Sequence, residues 1–172
     1  MNTTSYKEMQ NALKRIVTTE PVELDIAEVT LLSCEEYLEL KDWIPPIYKA
    51  WWLCSSHIDD DIMAGVVGSH GSLDNNYTDS SGSFSVRPAL RIRNLASQHL
   101  KIGDVIELAG YTWTVISDDM AICDAVVGKC CFRKDWRAPD AGTYDKSDIK
   151  RWIEAWAREK GIAGSVVRGC NK

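Results

Sequence analysis

Three consecutive carboxylates, Asp59, Asp60 and Asp61, are hard oxygen donors of the kind that hold a divalent cation such as calcium. Their spacing argues otherwise. A calcium loop places its ligands at alternate positions, with a glycine at the sharp turn and a distal glutamate, and no such loop follows the triplet. The triplet is expected in a solvated loop instead. His57, His70 and His99 lie far apart in sequence and lack the spacing that sets two imidazoles on one helical face, so they carry no metal expectation.

The six cysteines, Cys34, Cys54, Cys123, Cys130, Cys131 and Cys170, include one close pair, the adjacent Cys130-Cys131, rather than the two C-x2-C pairs of a structural zinc site. Adjacent cysteines seldom bridge each other without strain. All six are read as thiols. Covalent or phosphoryl-transfer catalysis would call for a G-x-S-x-G elbow, a Walker loop, a Rossmann glycine fingerprint or a kinase set, and the chain has none of them. It therefore reads as a protein without catalytic residues, metal or cofactor.

Arg87 is the most informative single charge, because it sits between Val86 and Pro88 in an apolar stretch. A buried guanidinium must find acceptors for its five N–H groups. It is expected to be a structural clamp onto loop carbonyls or an Asp of the 59–61 triplet, and a ligand-binding arginine is the alternative. Trp52, Trp113 and Trp152 are expected in the core, each with an acceptor for its indole N–H, whereas Trp43 and Trp136 stand in polar or proline-containing stretches that suit an interface.

Such residues need a frame. The 172 residues, 45% of them hydrophobic, suffice for one domain with a continuous core. A net charge of −5 and pI near 5.2 argue against direct nucleic-acid binding, while an acidic face could steer a basic protein onto this one. No run is long and apolar enough to span a bilayer, and residues 1–20 lack a signal-peptide core, so a cytoplasmic location is expected.

Helical periodicity with a capping box at Ser5 predicts a short helix within residues 1–20. A strand follows at residues 28–32, and Ser33 with Glu36 repeats the capping box ahead of a second helix ending at Leu40. The Asp-, Asn-, Ser- and Gly-rich region 54–85 is expected to be turns and exposed loop with one strand at residues 65–67. Residues 105–108, 111–116 and 120–125 read as an antiparallel meander. Asp145 or Ser147 then caps a helix whose apolar stripe is Ile149, Trp152, Ile153 and Trp156, with Gly161 as its stop. The tail, 162–172, carries little signal and is expected to fray.

Trp51-Trp52-Leu53-Cys54-Ser55, a Gly-, Ser- and Asn-rich insert, and Ser85-Val86-Arg87-Pro88-Ala89-Leu90 together resemble the "WWLRS … GVRPAL" signature of an uncharacterised domain of Firmicutes and their phages. Gly110-Tyr111-Thr112-Trp113-Thr114-Val115 and Ser147-Asp148-Ile149-Lys150-Arg151-Trp152-Ile153 resemble that domain's "GxYxWxV" and "SxIRxWLN" motifs. The resemblance covers one half at 21–95 and another at 101–161, in the reverse of the family's order, as in a circular permutation. Cys54 stands where the family pattern has Arg. What the resemblance implies is an α+β, C-type-lectin-like fold related to formylglycine-generating enzymes: a small mixed or antiparallel sheet, flanking helices and a long loop region.

The expected function is that of a non-enzymatic binding module, recognising a protein, or secondly a glycan, through Asp59, Asp60, Asp61, Asn75, Asn76 and Tyr77. A phage-encoded, anti-CRISPR-like inhibitor that occludes a host defence complex is the alternative. No membrane partner is expected.

Overall fold

The computed structural model describes residues 22–58, 60–79, 84–162 and 166–169, so the helix expected within 1–20, Asp59 and Cys170 lie outside the described residues. Among the described residues there are eleven strands and two α-helices: β1 (Val22–Thr30), α1 (Cys34–Leu40), β2 (Trp51–Trp52), β3 (Met63–Val67), β4 (Leu73–Tyr77), β5 (Ser85–Val86), β6 (Ala89–Ile92), β7 (Val105–Leu108), β8 (Tyr111–Val115), β9 (Met120–Cys123), β10 (Gly128–Lys129), α2 (Asp148–Glu159) and β11 (Val166–Gly169). The chain is mixed α+β. One sheet has six antiparallel strands in the order β11-β1-β6-β9-β8-β7, and the other has five in the order β10-β5-β2-β3-β4, with β2 and β5 parallel.

Successive strand residues point to opposite faces. Here both faces are buried, and the apolar dipeptides are the means. Leu31-Leu32, Trp51-Trp52, Val66-Val67, Ala89-Leu90, Val115-Ile116 and Ala121-Ile122 each send one residue into the core under α2 and the other into a second core under α1. Strands covered on both sides need runs rather than alternation. Between β5 and β6 the two residues Arg87-Pro88 carry the chain from one sheet into the other.

The capping box at Ser33 forms as expected, with Glu36 N–H donating to Ser33 Oγ and Ser33 N–H to Glu36 Oε2. The other Glu36 oxygen meets Arg91 of β6, which ties α1 to the sheet. The β7–β8 hairpin turns through Ala109 and Gly110 at φ 54° and 81°, the paired left-handed residues of a type I′ turn.

Four expectations need correction. β1 begins at Val22 rather than residue 28, because Leu24 and Ile26 alternate with Glu23 and Asp25 and bury one face. Region 54–85 holds more strand than expected: β3 begins at Met63 and pairs with a second strand, β4, so Asn75, Asn76 and Tyr77 are strand residues, while most of the region's described residues are turn and loop as expected. β4, with its Leu-Asp-Asn-Asn-Tyr sequence, has poor strand propensity, but at a sheet edge it pairs on one side only. The tail is not frayed throughout, since Val166–Gly169 pairs with residues 22–25 of β1.

The fourth correction concerns α2. Ser147 is its cap, accepting from Lys150 N–H at 3.1 Å, and Ile149, Ile153, Trp156 and Ala157 are its buried face. Trp152 is only half-buried, lying over Gly128, where a β-carbon would come within 2.7 Å of its ring. Ala157, at the opposite edge of the stripe from Trp152, is buried instead, and Trp152 packs at the core's margin. Gly161, at φ 70°, follows the helix end in the left-handed conformation glycine adopts without strain.

Candidate functional site

The described members of the expected partner-binding set, Asp60, Asp61, Asn75, Asn76 and Tyr77, gather around one end of the β3–β4 hairpin. β4 is an edge strand, and two of its outward donors are occupied by its own side chains: Asn75 N–H donates to Asp74 Oδ1 at 2.8 Å and Tyr77 N–H to Asn76 Oδ1 at 2.9 Å. Asn75 is a positioning residue rather than a free contact. Its Oδ1 accepts from Ser56 Oγ and His57 N–H, each at 3.1 Å, and so holds residues 56–57 against the hairpin.

Asp60 turns the loop by accepting from Ile62 N–H at 3.0 Å, while the Asp61 carbonyl accepts from Gly142 N–H and leaves its carboxylate exposed. Gly142 is required there, because a β-carbon would fall 2.6 Å from the Met63 carbonyl oxygen. The loop edges an open, polar cleft of about 420 Å³ lined by Cys54, Ser56, Asp60, Asp61, Thr143 and Tyr144. Beside it, Tyr77 is 50% exposed and meets Trp136 edge-on at 6.5 Å, with the Arg137 guanidinium 5.1 Å from the Trp136 ring. The surface pairing of Tyr77 with Trp136 was not legible in sequence, where the two stand apart in unrelated stretches.

Arg87 is 1% exposed and forms the expected clamp, but on other acceptors than the Asp triplet. Nε donates to the Cys123 carbonyl at 2.7 Å and Nη2 to the Pro45 carbonyl at 2.8 Å, with the guanidinium 5.2 Å from the Trp51 ring centroid. It thus joins the end of β9 to the segment after α1. Burial pulls its pKa down to about 10, so it keeps its charge at neutral pH. Among the described residues no carboxylate pairs with it.

At the hairpin's other end Arg87 lies behind a second cavity, of about 340 Å³, enclosed by residues 44–49 and the turn 68–71. Tyr37 closes one side, its hydroxyl donating to the Gly71 carbonyl at 2.6 Å and its ring meeting Trp51 edge-on. Sequence reasoning missed this cavity. Its walls come from α1, residues 44–49 and the 68–71 turn, which only the fold brings together.

Trp52 and Trp113 are fully buried as expected, their indole N–H groups donating to the carbonyls of Cys130 at 2.9 Å and Leu108 at 3.1 Å. The five described cysteines are unpaired thiols. Burial pushes Cys54 and Cys130 up to about 12 and Cys123 up to about 11, so the fold holds them protonated. No family model matches the chain, and no curated protein or solved structure matches it.

Those raised thiols make stability pH-dependent. A thiol that ionises near 9 when unfolded but near 11 or 12 when folded binds its proton more tightly in the native state. Its contribution is complete below about pH 9 and is lost as pH rises from there towards the folded value. Urea midpoints are therefore expected to fall between pH 8.5 and 10.5, and native protein at pH 8 should alkylate far more slowly than unfolded protein. A midpoint unchanged across that range would show the thiols to be solvated.

Proposed function

We propose that the chain is a non-enzymatic binding module, built as a C-type-lectin-like frame, that recognises a basic protein surface through Asp60, Asp61, Asn76, Tyr77 and Trp136. The observation that carries this reading is the exposed Tyr77, paired with a partly buried Trp136, beside the carboxylates of the 60–61 turn, on an edge strand whose outward donors at 75 and 77 are already occupied. Strand addition there would have to displace the strand's own side-chain acceptors. Recognition falls to side chains, with aromatic anchors supplying buried area and the surrounding carboxylates steering the partner.

The raised thiols support a non-catalytic role, because the thiolate rather than the thiol is the nucleophile. The acidic turn also favours the reading that the partner is a nucleic-acid-binding protein of a host defence system, occluded stoichiometrically. A glycan is the next ligand class. In pulldowns from a bacterial lysate, the pairs D60K/D61K and Y77A/W136A are expected to weaken capture of the wild-type partner at least ~10-fold while the melting temperature moves by under ~2 °C. Retained capture by both pairs, with loss on deletion of residues 1–20, would refute the placement.

A further inference from the structure

The cavity between residues 44–49 and the 68–71 turn lies at the opposite end of the hairpin from the Tyr77 face and stands independently of the reading above. Its charge is unlike that of the molecule. The chain carries 25 acidic against 20 basic residues, yet no carboxylate lines this cavity, whereas Lys41, Lys49, His70 and Arg87 all do. Lys41, Lys49 and His70 are exposed at its mouth, and Arg87 lies buried against its aromatic wall with no ion pair among the described residues, the Asp124 charge acting on it only at longer range.

Folding has already removed the Arg87 guanidinium from water. An anion brought near it therefore gains attraction in a low-dielectric setting without the cost of desolvating that cation again. The walls suit a flat apolar body, since Tyr37, Ile44, Pro46 and Trp51 surround the space. Tyr48 stands at the mouth 66% exposed and at φ 52°, a left-handed conformation that costs a non-glycine residue free energy. Strain and exposure in one aromatic residue at a cavity mouth are the pattern of a ligand clamp rather than of packing. A volume near 340 Å³ is within the range of small-molecule sites.

We propose that this cavity binds a small organic anion, a carboxylate or phosphate monoester carried on a planar apolar ring, with Lys41 and Lys49 contacting the charge, Arg87 holding the potential positive from beneath, and Tyr48 covering the ring. The site needs no chemistry beyond binding. Nitrogen-15 NMR titrations of the full chain with benzoate, phenyl phosphate, neutral benzamide and inorganic phosphate test it.

Benzoate or phenyl phosphate is expected to shift the amides of residues 68–71 and the Trp51 indole saturably, and the tighter of the two identifies the anion. Benzamide is expected to bind at least ~10-fold more weakly, because it keeps the ring and lacks the charge. The variant K41E/K49E, altered only at exposed positions, should lose affinity by a similar factor, and Tyr48→Gly should weaken binding while leaving thermal stability equal or higher. Arg87→Met is less decisive, because that clamp also holds the fold. Equal binding of benzamide, inorganic phosphate binding as tightly as phenyl phosphate, the absence of saturable shifts, or undiminished affinity in K41E/K49E would each overturn the proposal.

Discussion

Replacing Trp52 with alanine is expected to cost about 3–5 kcal/mol, the range for removing a large buried side chain, and to leave little folded protein if the domain has ordinary stability. The residue is fully buried and packs against Phe84 and Phe132 at centroid distances of 4.9 and 5.8 Å. Its indole N–H satisfies the Cys130 carbonyl at 2.9 Å, so truncation opens a cavity and orphans an acceptor together. Denaturant melts provide the measurement. Trp152→Ala is the internal contrast, because Trp152 is half-buried over Gly128 and should lose clearly less. A Trp52 loss below ~1 kcal/mol would contradict the two-core arrangement, since truncating a packed side chain costs several times that.

Gly65→Ala is expected to destabilise by about 3 kcal/mol, at the upper end of ordinary overpacking, although it adds one methyl group. A β-carbon at that position in β3 would stand 2.4 Å from Cys34 Sγ, 2.5 Å from the Ser55 carbonyl oxygen and 3.3 Å from Leu53 Cβ. None of the three is the loose end of a long side chain. The Cys34 thiol donates to the Ser55 carbonyl at 3.1 Å, and Gly65 N–H donates to the same oxygen at 2.7 Å, so the methyl group would enter where three segments converge. Thermal melts should show a large drop, and Cys34 should become more reactive toward alkylation. An unchanged melting temperature would mean that α1 can slide away from β3 at little cost.

How much of this was legible in the sequence depends on whether the signal was local. The Ser33 capping box, the β7–β8 turn at Ala109-Gly110 and the Ser147 cap are decided by residues within four positions of one another, and each was readable. β4 and β11 were not, because Leu-Asp-Asn-Asn-Tyr and Val-Val-Arg-Gly become strands only when β3 and β1 offer them a ladder. The same limit applies to sites. Arg87 could be recognised as needing acceptors, but its choice of the Pro45 and Cys123 carbonyls over the aspartates follows from where the chain crosses between sheets. Tyr77 and Trp136 meet only through the fold, and at α2 the spacing marked Ile149, Ile153 and Trp156 correctly but not which edge of the stripe, Trp152 or Ala157, is buried.

The side-chain acceptors on β4 have a bearing on crowding as well as on recognition. An edge strand with unspent amide hydrogens is a template, and in concentrated solution it lets one copy seed another until sheets stack without limit. With Asn75 N–H held by Asp74 and Tyr77 N–H held by Asn76, two rungs of that ladder are already taken by the strand itself. The exposed Tyr77 can thus stay on the surface as a sticky feature without turning the hairpin into a nucleus for fibres.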